Sequence, residues 1–344
     1  MIDIIPGIEK WLAEKKTFAL ATVIQTWRSA PRMIGSSMAI SKDMEILGSV
    51  SGGCVEGNVM KEAEEVLRIG VPKRLSYGVT DEDAWTVGLS CGGRIDVWLE
   101  PFMTYETGPR EKEIWPVLEQ SVKNNQGCAL VSNLSSDSWK HCLVYPDGTS
   151  VGAPISNALT QMANEAYSQH KNQIVSLSEG DVFINVFSAK SRLVIIGAAH
   201  VSVDLVAIAH QFNFETIVVD PRGIFSDKDR FATPPDELHK TGPAEILPEL
   251  KLDSDTYLVV LTHDPKIDDQ ALHIALKSEM PYIGALGSKK THAKRSSRLM
   301  EAGFSQEQIE RIHAPVGVAI NARQPKEIAL SIVGELIQAK NQYM

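Results

Sequence analysis

The sequence has few cysteines, and none closely spaced. Four occur in 344 residues, at Cys54, Cys91, Cys128 and Cys142, with no C-x-x-C pair among them. A zinc site or a redox dithiol motif is therefore not expected. Basic charge is also in deficit: 34 Lys and Arg stand against 43 Asp and Glu, a formal net charge of -9. That balance argues against a general nucleic-acid binder, which needs a basic face for phosphates. No apolar run approaches the ~18 residues of a membrane span. The opening "MIDIIPGIEKWLAEKK" lacks the basic start and long apolar stretch of a secretory signal. It reads as a helix with Pro6 at its start. The cytosol is the expected compartment, where thiols stay reduced. The sequence shows neither an internal repeat nor a low-complexity segment.

What is present is an ordinary globular composition, 43% hydrophobic and 22% charged, in a chain long enough for two domains. Residues 1–188 read as a mixed α/β domain. "TFALATVIQTW" is strand-like, "SSMAISKDMEILGSVSG" looks like a hairpin, and "VEGNVMKEAEEVLRIG" has a helical period. "SAKS" at 188–191 is the candidate linker. Residues 192–344 alternate short apolar runs with helical segments, from "RLVIIG" through "ETIVVD", "YLVVLT", "PYIGAL" and "IHAPVG". That alternation predicts a Rossmann-like, doubly wound parallel sheet.

Several segments carry candidate chemistry. In "GSVSGGCVEG" the glycines Gly52 and Gly53 precede Cys54 and Glu56 at the start of a predicted helix. A thiol there would feel the positive end of the helix dipole, which lowers its pKa, and glycine amides there would be bare toward a phosphate. In "GLSCGGRID" Cys91 precedes Gly92 and Gly93. For Cys54 and Cys91 a buried structural role is the competing reading, and for Cys128 and Cys142 in strand-like "GCALVSNL" and "KHCLVYP" it is the reading adopted. At the first turn of the second half, "GAAHVS" keeps Gly197 but has Ala199 where a dinucleotide fingerprint has its second glycine, and Ser202 where it has a glycine or alanine. Asp220 lies where a ribose-binding acid would, with Arg222 just beyond. A scaffold that binds no dinucleotide is the alternative. His263 and Asp264 in "THDP" suit acid–base work or a loop-fixing bond. "GSKKTHAKR" opens a helix, so Gly287, Ser288, Lys289, Lys290 and Arg295 suit an anionic phosphate. A solvated helix face is the plain alternative there.

Together "GSVSGGCVEG", "LSCGGRIDVWLEP", "LVIIGAAHVSVDLVAIA", "VVDPR", "VVLTHDPKIDDQAL", "YIGALGSKKTHAKR", "APVG" and "PKEIALSIVGELI" resemble the XdhC/CoxI family. The resemblance covers nearly the whole chain. It implies an N-terminal XdhC/CoxI domain over 1–188 and a Rossmann-like XdhC domain over 192–344. It also implies an accessory protein, rather than an enzyme, that binds molybdenum cofactor as cargo, protects it during sulfuration and hands it to an apo-hydroxylase of the xanthine dehydrogenase type. A cysteine desulfurase is a further expected partner, and a homo-oligomer the expected state. Carried onto this sequence, the family motifs fall on Gly52, Gly53, Cys54 and Glu56, on Cys91, Gly92 and Gly93, on Gly197 and His200, and on Asp220, Arg222, Thr262, His263, Asp264, Gly287 and Ser288. Ala199 departs from the family's usual glycine. The alternatives are an NAD(P)-dependent oxidoreductase, with NAD(P) in the second half, and a non-catalytic component of a hydroxylase complex.

Overall fold

A computed structural model describes residues 1–27, 32–53, 55–78, 93–102, 114–135, 140–223 and 230–342. The chain falls into two compact units, Met1–Ala189 and Lys190–Met344.

The first unit opens with α1 (Ile5–Ala13), β1 (Phe18–Trp27), β2 (Ser37–Ser41), β3 (Ile46–Gly48), α2 (Glu56–Ile69), β4 (Lys73–Gly78) and β5 (Arg94–Pro101). There follow α3 (Ile114–Lys123), β6 (Cys128–Asn133), β7 (His141–Val144), β8 (Ser150–Gly152), α4 (Asn157–Ser168), β9 (Gln173–Leu177) and β10 (Gly180–Phe187). The strands form two five-stranded sheets, ordered β3-β2-β1-β5-β4 and β8-β7-β6-β10-β9, with every pairing antiparallel. The two orders are the same order. Each sheet has one helix before its first strand and another between its third and fourth.

Unit 1 is therefore a duplicated module, which corrects the expectation of no internal repeat. The registers agree as well as the order. Ala19 faces Ile40 as Ala129 faces Val144, and Thr22 faces Ser37 as Ser132 faces His141. Helix α2 buries Val59, Ala63 and Val66 against the first sheet, and α4 buries Leu159, Ala163 and Ala166 against the second. Both sets follow the helical period. On the opposite faces, Ile8 and Trp11 of α1 pack on Phe18 and Leu20, and Ile114 and Leu118 of α3 pack on Cys128 and Leu130. Cys128 and Cys142 are free and buried, as read from the sequence. Burial pushes the Cys128 thiol up to about 12.

The second unit contains β11 (Ser191–Ile196), α5 (His200–Gln211), β12 (Phe214–Val219), β13 (Glu237–His239), α6 (Pro243–Ile246), β14 (Thr256–Val260), α7 (Pro265–Ala275), β15 (Tyr282–Ala285), α8 (Lys289–Glu301), α9 (Gln306–Glu310), β16 (Ile312–His313) and α10 (Pro325–Gln342). All its pairings are parallel, in the order β13-β12-β11-β14-β15-β16. Counted within the unit this is 3-2-1-4-5-6, the order of dinucleotide-binding sheets. Helices α5 and α10 cover one face, and α7, α8 and α9 the other. Burial from both sides explains why these strands read as unbroken apolar runs. The short β13, α6 and α9 were not foreseen, and only Ile312–His313 of "IHAPVG" is strand.

Candidate functional site

The turn between β3 and α2 is built around one carboxylate. Its Val50 and Val55 are buried anchors, and Gly52 and Gly53 between them are exposed. Glu56, the first residue of α2, folds back over the turn. Its Oε1 accepts from Ser49 Oγ (2.7 Å), the Ser51 amide (2.8 Å) and the Gly52 amide (3.0 Å). Its Oε2 accepts from Ser51 Oγ, the Gly53 amide (2.9 Å) and the Val55 amide (3.2 Å). Burial alone would raise this carboxyl, but the hydroxyls of Ser51 and Ser49 and the Ser51 amide outweigh it and hold Glu56 at about 2. Among the described residues no ion pair reaches it, and its partners there are these six N–H and O–H groups.

This corrects the sequence expectation of bare amides. The amides of Gly52 and Gly53 are already taken, by the motif's own acid. Ser49 and Ser51, which supply both hydroxyls, were missed; their spacing before an acid at a helix start was the available signal. Cys54, Cys91 and Gly92 lie outside the described residues, and Gly93 is buried just ahead of β5. Strands β3 and β4 run in the same direction as β1. β3 and β4 therefore finish at the same end of the sheet; Cys91 falls within 79–92, outside the described residues.

The second unit uses an acid at a glycine turn differently. Asp220, fully buried, accepts from the Ala198 amide (2.7 Å) and from Arg222 through its amide, Nε and Nη2. Burial would raise the Asp220 carboxyl, but Arg222 and the Ala198 amide outweigh it and hold it below its usual value. In this structure Asp220 is thus committed to the turn, which is not the ribose-binding posture expected of it. Gly197 has φ +108, and a Cβ there would meet Thr262 at 2.8 Å, so glycine is required by packing on the neighbouring strand end. His200 is exposed at the first position of α5.

At the end of β14, His263 is exposed in a left-handed conformation, φ +61. Asp264 caps α7, accepting from the Lys266 amide at 2.9 Å, which is the loop-fixing role. Thr262 Oγ1 donates to Asp268, a buried acid that the sequence reading passed over. At the start of α8, Gly287 precedes Ser288, which caps the helix through the Thr291 amide, and Lys289 and Lys290 are exposed. Arg295 is a correction. It is 2% exposed, donates to the Leu286 carbonyl at 3.0 Å and lies 3.6 Å from Asp268, so it faces inward rather than toward an outside anion. Among the described residues no group of three or more His, Cys, Asp or Glu is gathered for a metal ion, and no helix is long and apolar enough to cross a membrane.

Comparison with known proteins matches two family models, one for the XdhC and CoxI family over residues 11–78 and one for the XdhC Rossmann domain over residues 193–336. The chain belongs to the XdhC/CoxI family. The first model ends with β4, so the second repeat of unit 1 lies outside both. Among XdhC/CoxI relatives, a protein of Bacillus subtilis described as a probable xanthine dehydrogenase subunit is 28% identical over 97% of this chain and 96% of its own. The molybdenum cofactor insertion chaperone PaoD of Escherichia coli is 26% identical over 96% of this chain and 85% of its own. A crystal structure described as a xanthine dehydrogenase from Bacillus halodurans superposes with a TM-score of 0.76 at 27% identity, covering 98% of this chain and 96% of that one.

Proposed function

We propose that this chain binds molybdenum cofactor as cargo, protects it, aids its sulfuration and delivers it to a molybdenum hydroxylase of the xanthine dehydrogenase type. The reading is supported by one observation: Gly52 and Gly53, which precede Cys54 in sequence, are exposed in the turn after β3, and β3 and β4 finish at the same end of their sheet. A relative described as a molybdenum cofactor insertion chaperone, aligned over 96% of the chain, supports it. Molybdenum–sulfur chemistry is soft, and thiolate is the soft ligand a protein offers. Cys54 and Cys91 are the proposed contacts, with the exposed Gly52 and Gly53 giving a flat ring room to approach. Within the second unit, taken by itself, His200, His263, Gly287, Ser288 and Lys289 are secondary candidates for binding a phosphate. Delivery requires that the recipient bind the cofactor better than this chain does. A cysteine desulfurase would supply the sulfur.

The test is molybdenum content of protein made in a host that synthesises the cofactor, followed by transfer to an apo-hydroxylase. Cys54→Ser is expected to lose most bound metal and most transfer. Cys128→Ser is expected to keep both, while losing ~1–3 kcal/mol of stability to a buried hydroxyl. Equal loading in wild type and Cys54→Ser would remove the assigned contact.

A further inference from the structure

The duplicated module supplies a control for what the β3–α2 turn needs structurally. Gly48 ends β3 and pairs with Met38, and Gly152 ends β8 and pairs with Cys142 at the matching place. Both have positive φ, +77 and +111, and a Cβ on either would collide with a carbonyl, Ser37 O at 2.3 Å or His141 O at 2.7 Å. The isoleucines against them, Ile4 and Ile114, also match. Beyond this shared point the repeats part. The second reaches α4 through four residues, 153–156, and Ser156 caps that helix through the Leu159 amide at 3.2 Å. The first takes seven residues, 49–55, and has no side-chain cap from its N-cap residue, Val55. It uses Glu56 instead, drawing six donors onto one carboxylate. One serine meets the demand of the fold here, so the larger network of the first repeat exceeds it.

We infer that Glu56 is a positioning residue: it is the turn's own internal anion, and it holds the amide N–H groups of Gly53 and Val55, the sequence neighbours of Cys54, so that the reactivity of that thiol depends on it. Glu56 then makes no contact with the cargo, and the cargo's phosphate is held elsewhere than on these amides. The charge is what counts. A carboxylate accepts on both oxygens, whereas a glutamine amide of the same shape offers an N–H₂ to three of the six donors. The inference rests on the proposed role of Cys54, but its test does not need the cofactor.

Amide hydrogen exchange over residues 49–55 of the full chain is compared in wild type, Glu56→Gln and Glu56→Ala, the last with and without excess formate. The β8–α4 turn, 153–156, serves as internal reference. Iodoacetamide alkylation of Cys54 is followed against pH in a Cys91→Ser background. Glu56→Gln should speed exchange in 49–55 by about tenfold or more, the scale of losing charge-assisted hydrogen bonds, displace the alkylation profile and leave 153–156 unchanged. Formate should restore slow exchange and the wild-type profile to Glu56→Ala. The inference is overturned by unchanged exchange in Glu56→Gln, by equal loosening of both turns, or by an alkylation profile indifferent to Glu56. If these outcomes are met while wild-type protein never carries molybdenum, the cargo assignment fails and the positioning role stands.

Discussion

Gly48 and Gly152 end equivalent strands in two copies of one module, yet the chain leaves them by different routes. After Gly152 come Ala153, Pro154, Ile155 and the capping Ser156, and the helix begins. After Gly48 come three more residues than that, two exposed glycines among them, and an acid that gathers the turn from behind. The frame is common, so the difference between the copies lies in the turn itself. Glu56 also differs in kind from Asp220. Asp220 is fully buried and paired with Arg222. Glu56 is half-buried and, among the described residues, is met by N–H and O–H donors without an ion pair, in a turn whose glycines are exposed.

The largest expected effect tests the shared frame. Gly48→Ala and Gly152→Ala should each destabilise unit 1 by roughly 2–4 kcal/mol, combining left-handed strain with a carbonyl collision, and by similar amounts in urea unfolding. A tolerated alanine at one site alone would break the equivalence. Acid titration sharpens the difference between the turns. Glu56 is held at about 2 against an ordinary value of 4.5, so its contribution is complete above pH 4.5 and is lost as pH falls toward 2. The stability gap between wild type and Glu56→Gln should therefore be widest above 4.5 and close below it. A gap independent of pH across that window would mean the carboxylate charge is not what holds the turn. The smallest effect belongs to the plain turn: Ser156→Ala should cost ~1 kcal/mol, an ordinary N-cap loss, and leave molybdenum content unchanged.

Much of the second unit was legible in sequence because each parallel strand is buried on both faces and so shows as an apolar run with a helix behind it. Helix α2 and the buried Cys128 and Cys142 were legible for similar reasons. The duplication was not. It is carried by backbone register and by a few shared small or aliphatic positions, Ala19 with Ala129, Leu20 with Leu130, Gly48 with Gly152, and the loops between them differ in length. Side-chain direction was the other blind spot. Lys289, Lys290 and Arg295 read alike in a basic helix, but Asp268 on a different helix draws Arg295 inward while the lysines stay in solvent. Likewise the glycines of the first motif advertised bare amides, and nothing in their own spacing reveals that Glu56 turns back to occupy them.

The central claim, that the long turn of the first repeat is the cargo-holding device and the rest of the module its frame, is tested most directly by exchange of one turn for the other. Residues 49–55 are replaced by Ala-Pro-Ile-Ser from the second repeat, and molybdenum and pterin are measured in the purified chain from a host that makes the cofactor. Wild type is expected to carry both and the chimera to fold, by circular dichroism and thermal melting, while carrying neither. Cofactor retained at wild-type levels by a folded chimera would contradict the account.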